Sequence, residues 1–204
     1  MKYLIIAIAL TFGFAVHADV LTGITVAPEL DGNDYKRKTH FGGWKDADGD
    51  GQDTRQEVLA DESLVPVTWS ANGRKVTAGL WYDPFTRNTY TDPFVTKPSG
   101  YRYPIVQIDH IVPLKEAYES GAKNWTKAKR QKYANDLSNP GHLMAVHGPT
   151  NGAKGAKDPG EWLPPNKDFH CAYVQMWTRI KREWDLTMDA QEYAAIKTTL
   201  DGCP

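Results

Sequence analysis

The stretch QIDHIVPLKEA, residues 107–117, places an acid and a histidine side by side at the end of an apolar run, three residues ahead of a proline. Asp109 and His110 are adjacent, and adjacent residues of a strand point to opposite faces. Two interpretations follow. Either a strand ends in a solvated Asp and a packed His, or one residue holds a metal ion while its neighbour moves a proton.

Strand-like segments precede helix-like segments along the chain. Short β segments broken by turns are predicted over residues 65–106, with a hairpin turn at Asn72-Gly73. Residues 105–112 form a further strand candidate, followed by a second at residues 142–146. Helical patterns are predicted at residues 114–120, 126–134, 173–184 and 189–200. Strands first and helices later favour an α+β fold.

The first eighteen residues have the pattern of a secretory signal peptide. Lys2 precedes an apolar run over residues 3–16, and Val-His-Ala at residues 16–18 fits cleavage after Ala18. The run is shorter than the roughly 20 apolar residues that a membrane-spanning helix needs. We therefore expect a secreted or periplasmic protein that has no membrane partner. We also expect the protein to be a monomer.

The net charge limits the class of binding partner, and the cysteine count indicates whether the cysteines are oxidised. A formal net charge of −1 argues against coating nucleic acid through bulk charge, but leaves room for a local basic patch. Cys171 and Cys203 are the only cysteines, and an exported protein meets an oxidising environment, so we expect a disulfide. The bond would close a loop of about 31 residues and contribute roughly 3–4 kcal/mol in the chain-entropy model. A thiolate site would lack its third and fourth partners.

The second strand candidate and the segment after it supply further polar groups. His142 begins that strand, and Asn151 stands near the start of a short helix that ends at Gly155. Two strands and a helix can bring Asp109, His110 and Asn151 to one point. A magnesium-like ion prefers oxygen ligands and needs few protein groups, so Asp109 and Asn151 would suffice. His110 could then deprotonate an attacking water.

This ordered set resembles the HNH endonucleases, which share a ββα-metal finger. The resemblance rests on "IDHIVPLKEAYESGAKNW", "KYANDLSNPGHLMAV" and "TNGAKGAKDPGEWLPP", and extends upstream through "YKRKTHFGGWKDADGDGQDTRQEVL". It implies a ββα-metal (HNH) core with an N-terminal β-rich extension and C-terminal helices. Residues 19–204 would form a single nuclease domain. Residues 19–104 would be its β- and loop-rich part, and residues 105–204 the core with the C-terminal helices.

The resemblance also implies a role for each site residue. Asp109 and Asn151 become metal ligands, for Mg²⁺ or Mn²⁺, and His110 becomes the general base. His142 falls on the position that steadies the loop carrying the base, where relatives usually have Asn. It is therefore expected either to position that loop or to reach the metal. His147 is expected to be a loop residue.

The implied reaction is hydrolysis of phosphodiester bonds in DNA, or in RNA, with low sequence specificity. A nucleic-acid substrate needs positive charge near the base. Lys154 shares the turn that carries Asn151, and Arg55 is a second candidate for binding phosphate, which the resemblance suggests.

Residues 46–57, DADGDGQDTRQE, fit the calcium loop D-x-D-x-D-G-x5-E, with Gly51 at the sharp turn. Asp53 stands where an apolar residue is usual, and Gly42-Gly43 interrupts the entering helix, so an ion-free turn is the alternative. The expected ligands are Asp46, Asp48, Asp50, the Gln52 carbonyl and Glu57. The competing function is a non-catalytic, calcium-stabilised extracellular binding module.

Overall fold

The computed structural model describes residues 20–100 and 102–204. The predicted signal peptide, residues 1–18, lies outside the described residues. Short antiparallel strands fill the middle of the chain and helices dominate its C-terminal half, which confirms the α+β class. Within these ranges, no helix has an apolar stretch long enough to cross a membrane.

The described residues form eight strands: β1 (Thr68–Trp69), β2 (Val76–Ala78), β3 (Trp81–Asp83), β4 (Asn88–Tyr90), β5 (Phe94–Thr96), β6 (Arg102–Pro104), β7 (Val106–His110) and β8 (Leu143–His147). The same residues form seven α-helices: α1 (Arg37–His40), α2 (Thr54–Asp61), α3 (Leu114–Glu119), α4 (Lys127–Ala134), α5 (Gly148–Lys154), α6 (His170–Glu183) and α7 (Ala190–Asp201). The strands pair as four antiparallel two-stranded sheets, each joining neighbours in chain order.

The antiparallel pair β7–β8, followed at once by α5, positions the predicted site. Val106 pairs with His147 and His110 with Leu143, so the two strands run side by side along their whole length. At Gly148 the chain turns from β8 into α5. A Cβ there would lie 2.9 Å from the carbonyl oxygen of Pro104, so the close approach requires glycine.

The helical half packs around a core that α3, α6 and α7 share. Lys181 of α6 is fully buried, and its ammonium bonds the carboxylates of Glu116 on α3 and Glu192 on α7, each at 2.6 Å. Cys171 and Cys203 form the predicted disulfide, which joins the first turn of α6 to the residues just after α7. The buried ion cluster thus holds α3, α6 and α7 together, and the disulfide adds a covalent link between α6 and the end of α7.

Helix α2 is not among the helices predicted from the sequence, and it begins within residues 46–57, the stretch that fits a calcium loop. Its first turn is capped by Asp53, whose side chain accepts a hydrogen bond from the Gln56 N–H at 3.2 Å. The helix packs Val58 and Leu59 into a second core, which also contains residues of β7 and β8. The residues just before α2 are therefore held close to the predicted site.

Candidate active site

One cleft, of about 150 Å³, is lined by all three residues of the predicted constellation: Asp109, His110 and Asn151. Asp109 and His110 are the last two residues of β7, and Asn151 lies in the middle of α5. The turn from β8 into α5 is what carries Asn151 back to the end of β7. The cleft is also lined by Tyr35, Arg37 and Lys115.

His110 is held in a defined orientation. Its Nε2 lies 3.0 Å from the carbonyl oxygen of Ala134. A carbonyl can only accept, so Nε2 carries the proton and the lone pair of the neutral ring is on Nδ1. No residue in the described ranges bonds that Nδ1. Burial, together with the nearby His142, lowers the pKa of His110 well below its usual value, so the ring is neutral near pH 7.

Asp109 forms a buried ion pair with Lys154. The ammonium donates to both carboxylate oxygens, at 2.8 and 2.6 Å, and to the His110 carbonyl at 2.7 Å. Burial raises the pKa of Asp109 and lowers that of Lys154, and each partner opposes the shift of the other. The exposed fraction of Lys154 is 0%. This lysine was predicted to bind substrate phosphate. Its side chain instead points into the protein and contacts Asp109 and His110 at the end of β7.

Asp109 and Asn151 offer oxygen atoms suited to a hard divalent cation. The Asn151 amide nitrogen donates to Gln107 Oε1 at 3.2 Å, which leaves its Oδ1 as a ligand atom. Each carboxylate oxygen of Asp109 has two acceptor positions, and Lys154 uses one on each. The pair therefore fits an ion of the magnesium type, which needs few protein ligands.

His142 lies behind the base and does not line the cleft. It is fully buried, its Nε2 donates to the Tyr133 carbonyl at 2.7 Å, and its Nδ1 has no partner within the described residues. Burial lowers the pKa of His142 to about 4, so this ring is also neutral. The last two carbonyls of α4, of Tyr133 and Ala134, thus each accept a hydrogen bond from one histidine.

Arg55, which was predicted to bind phosphate, and His147, which was predicted to be a loop residue, lie outside the cleft. Arg55 donates to the Val106 carbonyl at 3.1 Å, and it is not among the residues that line the cleft. His147 is at the far end of β8, where its Nδ1 is 2.9 Å from Thr150 Oγ1 and its ring stacks on Tyr90. The arginine that reaches the cleft is Arg37.

Sequence reasoning missed three residues around the base: Arg37, Trp44 and Lys115. Arg37 and Lys115 line the cleft, and Trp44 stacks on His110 with ring centroids 5.2 Å apart and an interplanar angle of 7°. Lys115 lies in the stretch QIDHIVPLKEA itself, and the signal for Arg37 and Trp44 was the aromatic and basic stretch YKRKTHFGGW, residues 35–44. Nothing local in that stretch indicates which part of the chain it meets.

The acidic loop before α2 brings three carboxylates together. Ligand oxygens of Asp46, Asp48 and Asp50 lie within 4.8 Å of one another. The Oε2 of Glu57 is buried and has no hydrogen-bond partner within the described residues. Burial, with added repulsion from the three aspartates, raises the pKa of Glu57. Gly51 has φ 93°, as the sharp turn of a calcium loop requires.

Residues 53–198 match the family model described as "GmrSD restriction endonucleases, C-terminal domain". An "Uncharacterized secreted protein" of Arthroderma benhamiae (strain ATCC MYA-4681 / CBS 112371) is 37% identical over 185 residues, covering 90% of this chain and 83% of that protein. No solved structure matches the chain. The name of this relative confirms the expected export.

Proposed function

The chain belongs to the family of GmrSD restriction endonucleases, C-terminal domain, and on this premise we propose that it is a metal-dependent endonuclease with an HNH-type ββα-metal core. It hydrolyses phosphodiester bonds of DNA, or of RNA, with low sequence specificity. One observation carries the proposal. Asp109, His110 and Asn151 line the same cleft, and the neutral His110 keeps its Nδ1 lone pair available.

His110 is the general base in this mechanism. Its Nδ1 takes a proton from a water molecule that attacks phosphorus in line, while the bond from phosphorus to the 3′ oxygen breaks and leaves a 5′-phosphate. The Ala134 carbonyl accepts from Nε2–H throughout, so it stabilises the imidazolium as it forms. This carbonyl is at the C-terminus of α4, where the helix dipole places partial negative charge.

Asp109 and Asn151 would hold the divalent cation, Mg²⁺ or Mn²⁺. The ion, when bound, supplies charge stabilisation at the scissile phosphate and the leaving oxygen. Lys154 holds the Asp109 carboxylate in place from behind, so its proposed role is positioning and not phosphate binding. His142 has the corresponding role on the other side, because it holds the end of α4 that orients His110.

The proposed phosphate-binding residues are therefore not Arg55 and Lys154, which the sequence predicted, but other basic residues that line the cleft. Arg37 and Lys115 line the cleft, and the Lys115 ammonium is paired with the Glu119 carboxylate at 2.8 Å. Arg55 does not line the cleft, and Lys154 is buried. A guanidinium matches phosphate oxygens in two parallel hydrogen bonds. Contacts to phosphates position a nucleic acid without reading its bases, which fits low sequence specificity.

We propose one nuclease domain, residues 19–204, acting as a monomer. The support is that its two parts build one site. Arg37 comes from the predicted N-terminal part, residues 19–104, and meets in one cleft the strand and helix that residues 105–204 supply.

A calcium ion in the acidic loop is a second proposal. Its support is the convergence of Asp46, Asp48 and Asp50 together with the buried, unpartnered oxygen of Glu57; Gln52 would add its carbonyl. A binding module stabilised by calcium at this loop is the competing function. A non-catalytic binding module would not require a neutral His110 beside Asp109 and Asn151 in one cleft.

Cleavage of supercoiled plasmid tests the proposal. The mature protein is incubated with Mg²⁺, with Mn²⁺ or with excess chelator, alongside single-stranded DNA and RNA substrates. We expect cutting that the chelator abolishes. His110→Ala should lose about 10²–10⁴-fold in rate while still binding metal, because only the base is missing. Asp109→Ala should weaken metal binding itself, and excess metal should restore part of its activity.

His147→Ala is the matched control, since His147 lies outside the cleft, and it should keep the wild-type rate. Cutting that is equal for wild type and His110→Ala would refute the assigned base. No cutting under any metal condition would favour the binding module.

A further inference from the structure

We propose that Trp44 is a positioning residue for the general base: its indole face sets the plane of the His110 imidazole. The inference rests on the proposed role of His110. The two rings are parallel within 7°, with centroids 5.2 Å apart. The Arg37 guanidinium in turn lies over the Trp44 ring, 5.7 Å from its centroid.

A general base needs its lone pair aimed at one point, and a single hydrogen bond does not achieve this. The bond from Nε2 to the Ala134 carbonyl fixes where that nitrogen points. The ring remains free to tilt about that bond, and a tilt moves Nδ1 away from the attacking water. A parallel aromatic face removes this freedom. The ring of His142 meets His110 edge-on, at 82°, so it supplies no such face.

The segment carrying Trp44 is fastened to the same point that holds the base. The Asn135 side chain accepts the Lys45 N–H at 2.8 Å and donates to the Gly43 carbonyl at 3.3 Å. It thus holds the residues on both sides of Trp44. Asn135 directly follows Ala134, whose carbonyl bonds His110. The hydrogen bond and the stacked face both constrain the imidazole, and both are therefore anchored at the end of α4.

The kinetic test uses bis(4-nitrophenyl) phosphate, a diester without nucleobases, next to plasmid DNA. Trp44→Leu should lower kcat about 10- to 100-fold on both substrates with little change in KM, since misplacing a reacting group by about 1 Å can cost about 100-fold. Trp44→Phe should recover most of kcat because it restores a planar face. Asn135→Ala, which loosens the segment but keeps the indole, should lower kcat in the same direction.

Trp69→Leu is the matched control. Trp69 is a half-buried tryptophan that packs against the same second core as Trp44, but no ring contact to His110 is found for it. This variant should keep kcat on both substrates. It separates loss of an indole from loss of general packing.

A second readout does not depend on activity. In the NMR spectrum of the wild-type protein, the His110 ring protons should be shifted upfield by the current of the stacked indole. Trp44→Leu should move them downfield, and Trp44→Phe only in part. Unshifted His110 ring protons in the wild type would refute the stack.

The outcomes separate the two proposals. If the wild type cuts nothing under any metal condition, the proposed function fails. If the wild type cuts and His110→Ala keeps its rate, the assigned base is wrong and the positioning inference is wrong with it. If His110→Ala is inactive but Trp44→Leu and Asn135→Ala keep kcat, the positioning inference alone is wrong. A rise in KM confined to DNA, with normal turnover of the small diester, would make Trp44 a base-stacking residue and overturn the inference.

Discussion

Single residues at this site have environments that determine what each can do. Lys154 and Asp109 are both buried and share two hydrogen bonds, so each charge depends on the other to offset its loss of hydration. Such pairs add little net stability, but removing one partner leaves an uncompensated buried charge. Lys154 is therefore expected to matter first for the integrity of the site.

Lys154→Met should lower the free energy of unfolding by about 3–5 kcal/mol near neutral pH, because it leaves the Asp109 carboxylate buried and unpaired. Chemical denaturation of the wild type and the variant measures the difference. Lys157→Met is the control: it lies on the exposed surface just beyond α5 and should change the value by less than about 0.5 kcal/mol. A stable Lys154→Met protein with a raised KM for DNA would instead make Lys154 a phosphate ligand.

At the scale of elements, α2 and the loop before it form one unit. The acidic loop ends at Asp53, which caps α2, and Glu57 stands in the first turn of that helix. Without a cation, Asp46, Asp48 and Asp50 repel Glu57, and this repulsion adds to burial in raising the pKa of Glu57. An ion bound here would relieve the repulsion and fix the start of α2, which packs on β7 and β8.

Calcium should therefore raise the melting temperature. A ligand that binds only the folded state at 100 times its Kd stabilises that state by about 2.7 kcal/mol, equivalent to about 5–10 °C for a domain of this size. Asp48→Ala should abolish the shift, whereas Asp61→Ala, exposed on the same helix and outside the loop, should keep it. Scanning calorimetry with and without calcium makes the measurement. If calcium does not shift the melting temperature, the loop is a turn that binds no calcium.

At the scale of the whole molecule, the disulfide lies away from the site. The disulfide joins the first turn of α6 to the chain just beyond α7, while the cleft is lined by β7, α5, the start of α3 and the segment around Arg37. Lys181 adds a buried ionic link among α3, α6 and α7. Loss of the disulfide is therefore expected to affect stability and to leave the site geometry intact.

Replacing both cysteines, as Cys171→Ser with Cys203→Ser, should lower the free energy of unfolding by roughly 3–4 kcal/mol, because the unfolded chain gains the freedom of the opened loop. The melting temperature should fall by about 6–15 °C. Plasmid cleavage at 20–25 °C should remain close to the wild-type rate. A double variant that melts normally but no longer cuts would show that the disulfide shapes the site itself.

The sequence by itself determined the local features of this protein. The helical patterns predicted to start at Thr126 and Asp189 begin there, since these residues cap α4 and α7, and the predicted turn Asn72-Gly73 joins β1 to β2. Asp109 and His110 were predicted at a strand end and Asn151 in the helix that follows the next strand, and that is where they lie. Caps, turn residues and periodicity act over a few residues, so a single sequence carries them in full.

Only the tertiary structure decided which distant residues meet at the base. Lys154 lies 45 positions from Asp109 and Lys45 lies 90 from Asn135, and each pair is joined by hydrogen bonds. Whether Lys154 faces phosphate or Asp109 depends on how α5 is rotated against β7. Whether Trp44 reaches His110 depends on where the N-terminal segment is fastened to α4. Both are set by packing between elements far apart in the chain, a property that no local pattern of residues encodes.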